Sequence, residues 1–125
     1  MIDTENFAQT LRSNAGKISQ GRCAKYVRIA LAAGGADTYA YPDLAKNYAP
    51  LLIRNGYKHI ESADPDAFLA KKGDIVVFQP AKNGNQAGHI QGFDGKNWVS
   101  DFIQNGFWPG PGYRKEKPSY AIYRP

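Results

Sequence analysis

The sequence has few of the residues that hold small domains together by covalent or metal crosslinks. Its 125 residues include one cysteine and two histidines. A single cysteine cannot form an internal disulfide, and these three residues are too few for a four-ligand structural zinc site. We therefore expect the chain to fold on its hydrophobic core alone, and we predict no metal and no other cofactor.

Long apolar runs are also missing. No stretch approaches the ~20 apolar residues that a membrane-spanning helix needs, so membrane insertion is not expected. The start of the chain, MIDTENFAQTLRSN, is acidic and polar, whereas a secretory signal begins basic and continues apolar. We expect synthesis in the cytoplasm without a signal peptide, and any export by a route that reads no cleaved leader.

The charge is basic but scattered. The net charge is +5, and a basic surface attracts polyanions such as nucleic acid, anionic lipid or an acidic wall polymer. The densest basic stretch, YRKEKP (113–118), is interrupted by Glu116. The sequence has no continuous basic stripe with interleaved aromatic residues, so we expect no nucleic-acid partner. A non-enzymatic module that binds polyanions stays open as an alternative.

The length predicts one domain, residues 1–125. Helical periodicity is confined to the first half. It predicts three helices, which run from Asp3 or Thr4 to about Ser13, from Arg22 or Cys23 to Gly34, and from after Pro42 to Asn55, with Pro50 as a local conflict.

The second half has the alternation and β-branched content of strands. Candidate strands lie at 57–61, 74–79, 89–93, 96–102 and 119–124, and the Gly/Pro-rich stretch 105–113 is predicted as a loop. Asp94-Gly95 is a strong hairpin signal. Helices followed by an antiparallel sheet predict an α+β fold, with N-terminal helices packed on a C-terminal antiparallel β-sheet.

The lone cysteine is placed where a loop becomes a helix. A helix N-terminus stabilises a thiolate through its free N–H groups and its dipole, and the thiolate is the nucleophilic form. Gly21 allows close approach of the chain, and the N–H of Cys23 could bind an oxyanion. A buried structural cysteine is the alternative, and this segment alone leaves both open.

A catalytic cysteine needs a base, and the chain offers His59 and His89. His59 lies between charged residues in YKHIE, as a solvated histidine would. His89 opens a strand after the loop NGNQAG, and a loop-to-strand boundary can present a side chain at a sheet edge. His89 is therefore the predicted base.

A third residue should orient the imidazole. A two-residue hairpin turn at Asp94-Gly95 would put Ser100 opposite His89 and Asp101 on the other face of the sheet. A three-residue loop at 93–95 would bring Asp101 to the face of His89. The sequence permits both registers, with Asp101 as the main candidate and Ser100 as the second.

Four segments together resemble a known family. GRCAKYVRIAL (21–31), KKGDIVVFQP (71–80), GHIQGF (88–93) and WVSDF (98–102) resemble the nucleophile helix and following strands of the NlpC/P60 and CHAP peptidoglycan hydrolases, a papain-like group. The resemblance covers residues 16 to 104. It implies a papain-like NlpC/P60-type domain with catalytic Cys23, His89 and Asp101 in that order.

The resemblance implies a cysteine peptidase that hydrolyses an amide bond of peptidoglycan peptides. Cys23 would attack the carbonyl, His89 would protonate the leaving amine, and Asp101 would fix the imidazole tautomer. Papain-like enzymes place a polar side chain for the oxyanion upstream of the cysteine, and here Ser19 or Gln20 could supply it. Trp108 is a candidate for the wall of the substrate groove.

The small size and the segment SDFIQNGFWPG (100–110) resemble amidase effectors of type VI secretion systems. This resemblance implies an antibacterial toxin that acts in the periplasm of a target cell and is neutralised by a cognate immunity protein. A phage or autolytic wall hydrolase is one alternative. A papain-like deamidase or transferase acting on protein is another, since these reactions share the thioester route.

Overall fold

The structure is a computed structural model that describes residues 1–125. Its four helices are α1 (Thr4–Asn14), α2 (Cys23–Ala33), α3 (Ala49–Arg54) and α4 (Pro111–Glu116), and a 3-10 turn spans Ala45–Asn47. The strands are β1 (Lys58–Ile60), β2 (Ile75–Phe78), β3 (His89–Phe93), β4 (Trp98–Val99) and β5 (Tyr120–Arg124). They form one antiparallel sheet in the order β1-β5-β2-β3-β4. The predicted α+β arrangement is confirmed.

Helix α1 forms as its sequence predicts. The Asp3 side chain caps it by accepting a hydrogen bond from the N–H of Asn6 at 3.0 Å. Phe7 and Leu11 are fully buried on the face that packs against the sheet. Gly92 of β3 makes this close packing possible, because a Cβ there would lie only 2.6 Å from the Phe7 ring.

The sheet is covered on both faces, which explains why β2 is buried at every position. Ile75 and Val77 join the core under α1 and α2, which we name the helix-side core. Val76 and Phe78 join a smaller cluster on the opposite face, which we name the aromatic-side core. In β3, Ile90 belongs to the helix-side core.

The third predicted helix is divided into two pieces. The 3-10 turn at 45–47 precedes α3, and Pro50 is the second residue of α3 rather than a kink within a longer helix. Proline is tolerated in a first turn because its missing N–H would have no intrahelical partner there. Tyr48, Leu51 and Leu52 are buried, so the predicted apolar stripe is confirmed.

The β3–β4 connection differs from both predicted turns. Gly92 pairs with Val99 and Phe93 with Trp98, so the loop has four residues, 94–97. Asp94 causes the difference, because its Oδ1 accepts hydrogen bonds from the N–H groups of residues 96 and 97 at 2.8 and 2.6 Å. Its Oδ2 accepts a bond from Nε of Arg12 at 2.8 Å.

Helix α4 replaces part of the predicted loop at 105–113. Pro111 is its first residue, a position that suits proline, and extended Gly110 precedes it. The helix ends at Lys117, which has a left-handed φ of 49°. Helix α4 carries Tyr113 towards the start of β3. The longest helices have 11 residues, and none has the length and apolarity needed to cross a membrane.

Candidate active site

Cys23 is the first residue of α2, as predicted, and its side chain is partly exposed. The preceding Arg22 gives the helix no side-chain cap. The N–H groups of the first turn are thus left without a capping side chain, and they can bind negative charge. Gly21, two residues before the helix, has a φ of +70°, a left-handed conformation that glycine adopts without strain.

Asp101 holds the loop before α2. Its Oδ2 accepts hydrogen bonds from the N–H of Gln20 at 2.7 Å and the N–H of Arg22 at 2.9 Å. Its Oδ1 accepts a bond from the Ser100 hydroxyl at 3.3 Å. The Gln20 side chain donates to the Asp101 carbonyl at 3.0 Å and accepts from the hydroxyl of Tyr26 at 3.1 Å. The Asp101 carboxylate therefore fixes the entry to the cysteine helix.

The imidazole of His89 is buried and contacts a residue that the sequence did not predict. Its Nε2 lies 3.0 Å from Oε1 of Gln104. The Gln104 Nε2 donates to Oε1 of Gln91 at 2.8 Å and to the Gly106 carbonyl at 3.1 Å. The Gln91 Nε2 donates to the carbonyl of Phe107 at 2.8 Å. We name Gln104 and Gln91 the glutamine relay.

The glutamine relay determines which imidazole nitrogen carries hydrogen. Phe107 offers a carbonyl acceptor, so the amide of Gln91 must turn its NH₂ group towards it and its oxygen towards Gln104. Gln104 then donates to that oxygen and presents its own oxygen to His89. A carbonyl oxygen only accepts, so Nε2 of His89 carries the hydrogen and Nδ1 of the neutral ring has a free lone pair.

The backbone before His89 requires glycine. Gly88 has a φ of +74°, and a Cβ there would collide with the Phe78 carbonyl oxygen and lie 2.9 Å from the Cβ of Lys46. The His89 ring packs against the rings of both Phe78 and Tyr113, with centroid distances of 5.8 and 5.9 Å. Gly88 thus sets the path of the backbone, and the two rings restrict the orientation of the imidazole.

A cavity of about 380 Å³ is lined by both Cys23 and His89. Tyr113 also lines this space, which we name the Cys23 cavity, as do Ser19 and Asp101.

The other two predicted residues lie differently. Gln20 is beside the cavity but its amide is already hydrogen-bonded on both sides. Trp108 packs into the aromatic-side core, with ring centroids 5.2 Å from Phe107 and 5.8 Å from Tyr120, and it does not line the cavity.

Burial sets the protonation of the pair. It raises the pKa of the Cys23 thiol and lowers the pKa of His89 to about 4. Backbone hydrogen bonds, the largest from Ile90, lower the pKa of Cys23 in part, whereas the Asp101 carboxylate raises the pKa of both groups. These pKa shifts favour a neutral thiol and a neutral imidazole in the free site.

Sequence reasoning missed Gln104, Gln91 and Tyr113. One signal did exist for Gln91: it shares the face of His89 two residues away in β3, and a buried polar side chain needs a partner. No pattern marks Gln104, which reaches the imidazole after the chain reverses at 100–103. Elsewhere, no group of three histidine, cysteine or acidic residues is placed to hold a metal ion.

Comparison with known proteins places the chain in a family. No family model and no curated protein matches it. It is similar to the crystal structure of the type VI native effector–immunity complex Tae3–Tai3 from Ralstonia pickettii, with 39% identity over 98% of each chain and a TM-score of 0.86. The selenomethionine form of that complex matches with 39% identity over 94% of this chain and 98% of that one, at a TM-score of 0.83.

This similarity bears on the predictions from sequence. The predicted relationship to type VI effectors is confirmed, while the narrower NlpC/P60 relationship stays a prediction. An identity of 39% over almost the whole length is well above what a shared fold alone requires. The chain belongs to the Tae3 family of type VI effectors.

Proposed function

We propose that residues 1–125 form one papain-like catalytic domain, a cysteine amidase that hydrolyses an amide bond in peptidoglycan peptides. The observation that carries this proposal is the shared cavity, which is lined by Cys23 at the start of α2 and by His89, whose tautomer Gln104 fixes. A nucleophile, a base and free N–H groups at one site are the parts that acyl transfer needs.

In the first step, Nδ1 of His89 takes the proton of the Cys23 thiol as Sγ attacks the substrate carbonyl carbon. The C=O electron pair moves to the oxygen, which the N–H of Cys23 in the uncapped first turn can bind. Gln104 keeps accepting from the Nε2 hydrogen, so the ring cannot turn its other nitrogen to the sulfur.

In the second step, the tetrahedral intermediate collapses and the C–N bond breaks. The proton on Nδ1 passes to the leaving amine, and the acyl group remains on Sγ as a thioester. Water then gives a proton to Nδ1 and adds to the thioester. Collapse of that second intermediate releases the carboxylic acid product, and the thiol regains its proton from Nδ1.

The roles of the other predicted residues change in this scheme. Gln104 orients the imidazole, whereas Asp101 holds the loop before Cys23 and favours the imidazolium electrostatically. Ser19 is the remaining side-chain candidate for the oxyanion, because the Gln20 amide is occupied. Tyr113 takes the place proposed for Trp108 in the wall of the substrate cavity.

The family supplies the biological setting of the proposal. The similar structures are effector–immunity complexes, so we expect a cognate immunity protein that binds this chain. Delivery by type VI secretion would bring the enzyme to the periplasm of a target cell, where its substrate lies. The chain would thereby act as an antibacterial toxin.

The test is digestion of purified sacculi, with the released products identified by mass. We expect wild type and His59→Ala to release peptides, and Cys23→Ala and His89→Ala to release none. His59 is the matched control because it is an exposed histidine outside the cavity. Circular dichroism would verify that each variant is folded. Full activity of Cys23→Ala would refute the proposed mechanism, and products cut only from protein substrates would favour a deamidase or transferase.

A further inference from the structure

The Cys23 cavity is lined by an excess of cationic side chains. Arg22, Lys25 and Arg28 line it, together with the carboxylates of Asp43 and Asp101. Both oxygens of Asp101 already accept hydrogen bonds from the protein. None of the three cationic side chains lies within 4.0 Å of a carboxylate oxygen. The four ion pairs of the molecule all involve other residues.

Arg28 is fixed in place without being neutralised. Its guanidinium carbon lies 3.7 Å from the centroid of the Tyr41 ring. Its Nη1 donates a hydrogen bond to the Tyr48 hydroxyl at 3.2 Å. By contrast, Arg12 and Arg124 are each paired with a buried aspartate. A guanidinium held by an aromatic ring and a neutral hydroxyl keeps its charge and its remaining N–H groups for a ligand.

A second groove, of about 430 Å³, shares part of its wall with the Cys23 cavity. Ser19, His89 and Tyr113 line both spaces, but Cys23 lines only the first. We name this space the apolar groove. Its other lining residues are mainly glycines and apolar residues, among them Ala81, Phe102, Pro109 and Pro111.

The chemistry of the proposed reaction assigns the two arms of the substrate to these spaces. The acyl carbon becomes bonded to Sγ, so the acyl arm must lie in the cavity that Cys23 lines. The leaving amine receives its proton from His89, which lines both spaces, so the amine arm can extend into the apolar groove. The cationic side chains that line the Cys23 cavity therefore surround the acyl arm rather than the amine arm.

We propose that the acyl arm of the substrate carries a carboxylate and that Arg28 is the residue that selects it. The proposal rests on the proposed function, since it assumes an acyl transfer at Cys23. Arg28 can offer two parallel N–H donors to a carboxylate, whereas a carboxamide would supply only one acceptor and no charge. Lys25 and Arg22 add favourable charge from the same wall of the cavity.

The experiment compares two pools of wall peptides, one untreated and one with its carboxylates converted to carboxamides. We expect Arg28→Gln to lower kcat/KM on the untreated pool by roughly 10-fold or more, because a charged hydrogen bond is lost. On the amidated pool the same variant should differ little from wild type. Lys58→Gln, a loss of one positive charge outside the cavity, should match wild type on both pools.

Two further variants distinguish an effect on substrate selection from an effect on protein stability. Tyr41→Leu removes the ring beneath the Arg28 guanidinium and should reduce the preference for the untreated pool. Tyr41→Phe keeps that ring and should retain the preference. An equal loss on both pools for Arg28→Gln, or no loss on either, would overturn the role of Arg28 and leave the proposed function intact.

Binding to an inactive protein distinguishes failed recognition from failed chemistry. Cys23→Ala should bind the untreated pool more tightly than the amidated pool, and Cys23→Ala/Arg28→Gln should lose this difference. If the pools bind Cys23→Ala equally, the carboxylate proposal is wrong. If wild type cleaves neither pool while Cys23→Ala still prefers the untreated one, the proposed function fails and the recognition site stands.

Discussion

The two faces of the sheet are built from different chemistry. The helix-side core holds 16 buried residues, all of them apolar or tyrosine. The opposite face combines five buried apolar or aromatic residues with the imidazole of His89 and the glutamine relay. Strand β3 separates the two faces by simple alternation: Ile90 packs under α2, and its neighbours His89 and Gln91 point the other way.

The comparison shows how a small domain can bury polar groups beside its core. Every buried side-chain nitrogen and oxygen has a hydrogen-bond partner, so the polar groups of the second face are satisfied and need no water. The helix-side core stabilises the domain mainly through apolar contacts, and the hydrogen bonds of its side chains are those of the Tyr48 and Tyr57 hydroxyls. The second face uses its hydrogen bonds to orient one ring, and substitutions on the two faces can separate these contributions.

The largest effect is expected from Gly88→Ala. The added methyl would collide with the Phe78 carbonyl in a left-handed backbone conformation, which costs roughly 1–3 kcal/mol for a non-glycine residue even without the collision. We expect lower stability and almost complete loss of activity, because His89 is the next residue. Urea unfolding and sacculus digestion measure the two effects.

Gly106→Ala is the matched control for this substitution. A Cβ at Gly106 meets no atom within 4 Å, so this variant should retain both stability and activity. Wild-type activity in Gly88→Ala would show that the position of His89 does not depend on the chain path at residue 88.

An intermediate effect is expected from Gln104→Leu. Without the acceptor at Nε2, the His89 ring can adopt either tautomer, and we expect kcat to fall by roughly 100-fold with little change in KM. Nitrogen-15 NMR of the ring at pH 7 should show hydrogen on Nε2 in wild type and a mixture of tautomers in the variant. An unchanged tautomer in Gln104→Leu would contradict the role of the glutamine relay.

Gln91→Leu should cause a smaller loss of kcat than Gln104→Leu. It leaves Gln104 in place but removes the acceptor that fixes the orientation of its amide.

A comparison on the opposite face is Leu11→Ala, which should lower the free energy of unfolding by roughly 2–5 kcal/mol and leave the His89 tautomer unchanged.

The smallest effect concerns pH. His89 has a pKa of about 4 in the folded protein, below the value of about 6.5 in an unfolded chain, so the unfolded state binds more protons between these values. The folded state thus loses stability as the pH falls from 6.5 to 4. From pH 7 to 5 this histidine should cost about 2 kcal/mol.

Urea unfolding of wild type, His89→Ala and His59→Ala at pH 7 and pH 5 measures this cost. His89→Ala should lose less stability between the two pH values than wild type does. His59→Ala, which removes an exposed histidine, is the control. Equal losses in wild type and His89→Ala would show that the buried imidazole is not the cause.

The sequence was sufficient for the elements with regular patterns. Helices α1 and α2, the five strands and the placement of Cys23 and His89 follow from periodicity, caps and turn residues. The β3–β4 register was not predictable, because Asp94 lengthens the loop through side-chain bonds that its Asp-Gly pair does not reveal. Helix α4 was not predicted because glycine and proline are typical of loops, although both also suit the start of a helix.

The hydrogen-bond partner of the His89 imidazole was also unpredictable from the sequence. A strand continued in register past Val99 would have carried Asp101 or Ser100 along the sheet, but β4 ends after two residues. The turn that follows brings Gln104 to His89 and sends the Asp101 carboxylate back to the loop of Gln20. Such a reversal depends on tertiary contacts rather than on local residue preferences.

The Asp101 contact has a consequence for the order in which the parts of the site form. The carboxylate joins backbone positions that precede it by 79 and 81 residues. Contacts between such distant positions form late, because a long loop must close first. A chain emerging from the ribosome therefore exposes Cys23 long before the Asp101 carboxylate can hold the loop that precedes it, and the site is completed only near the end of synthesis.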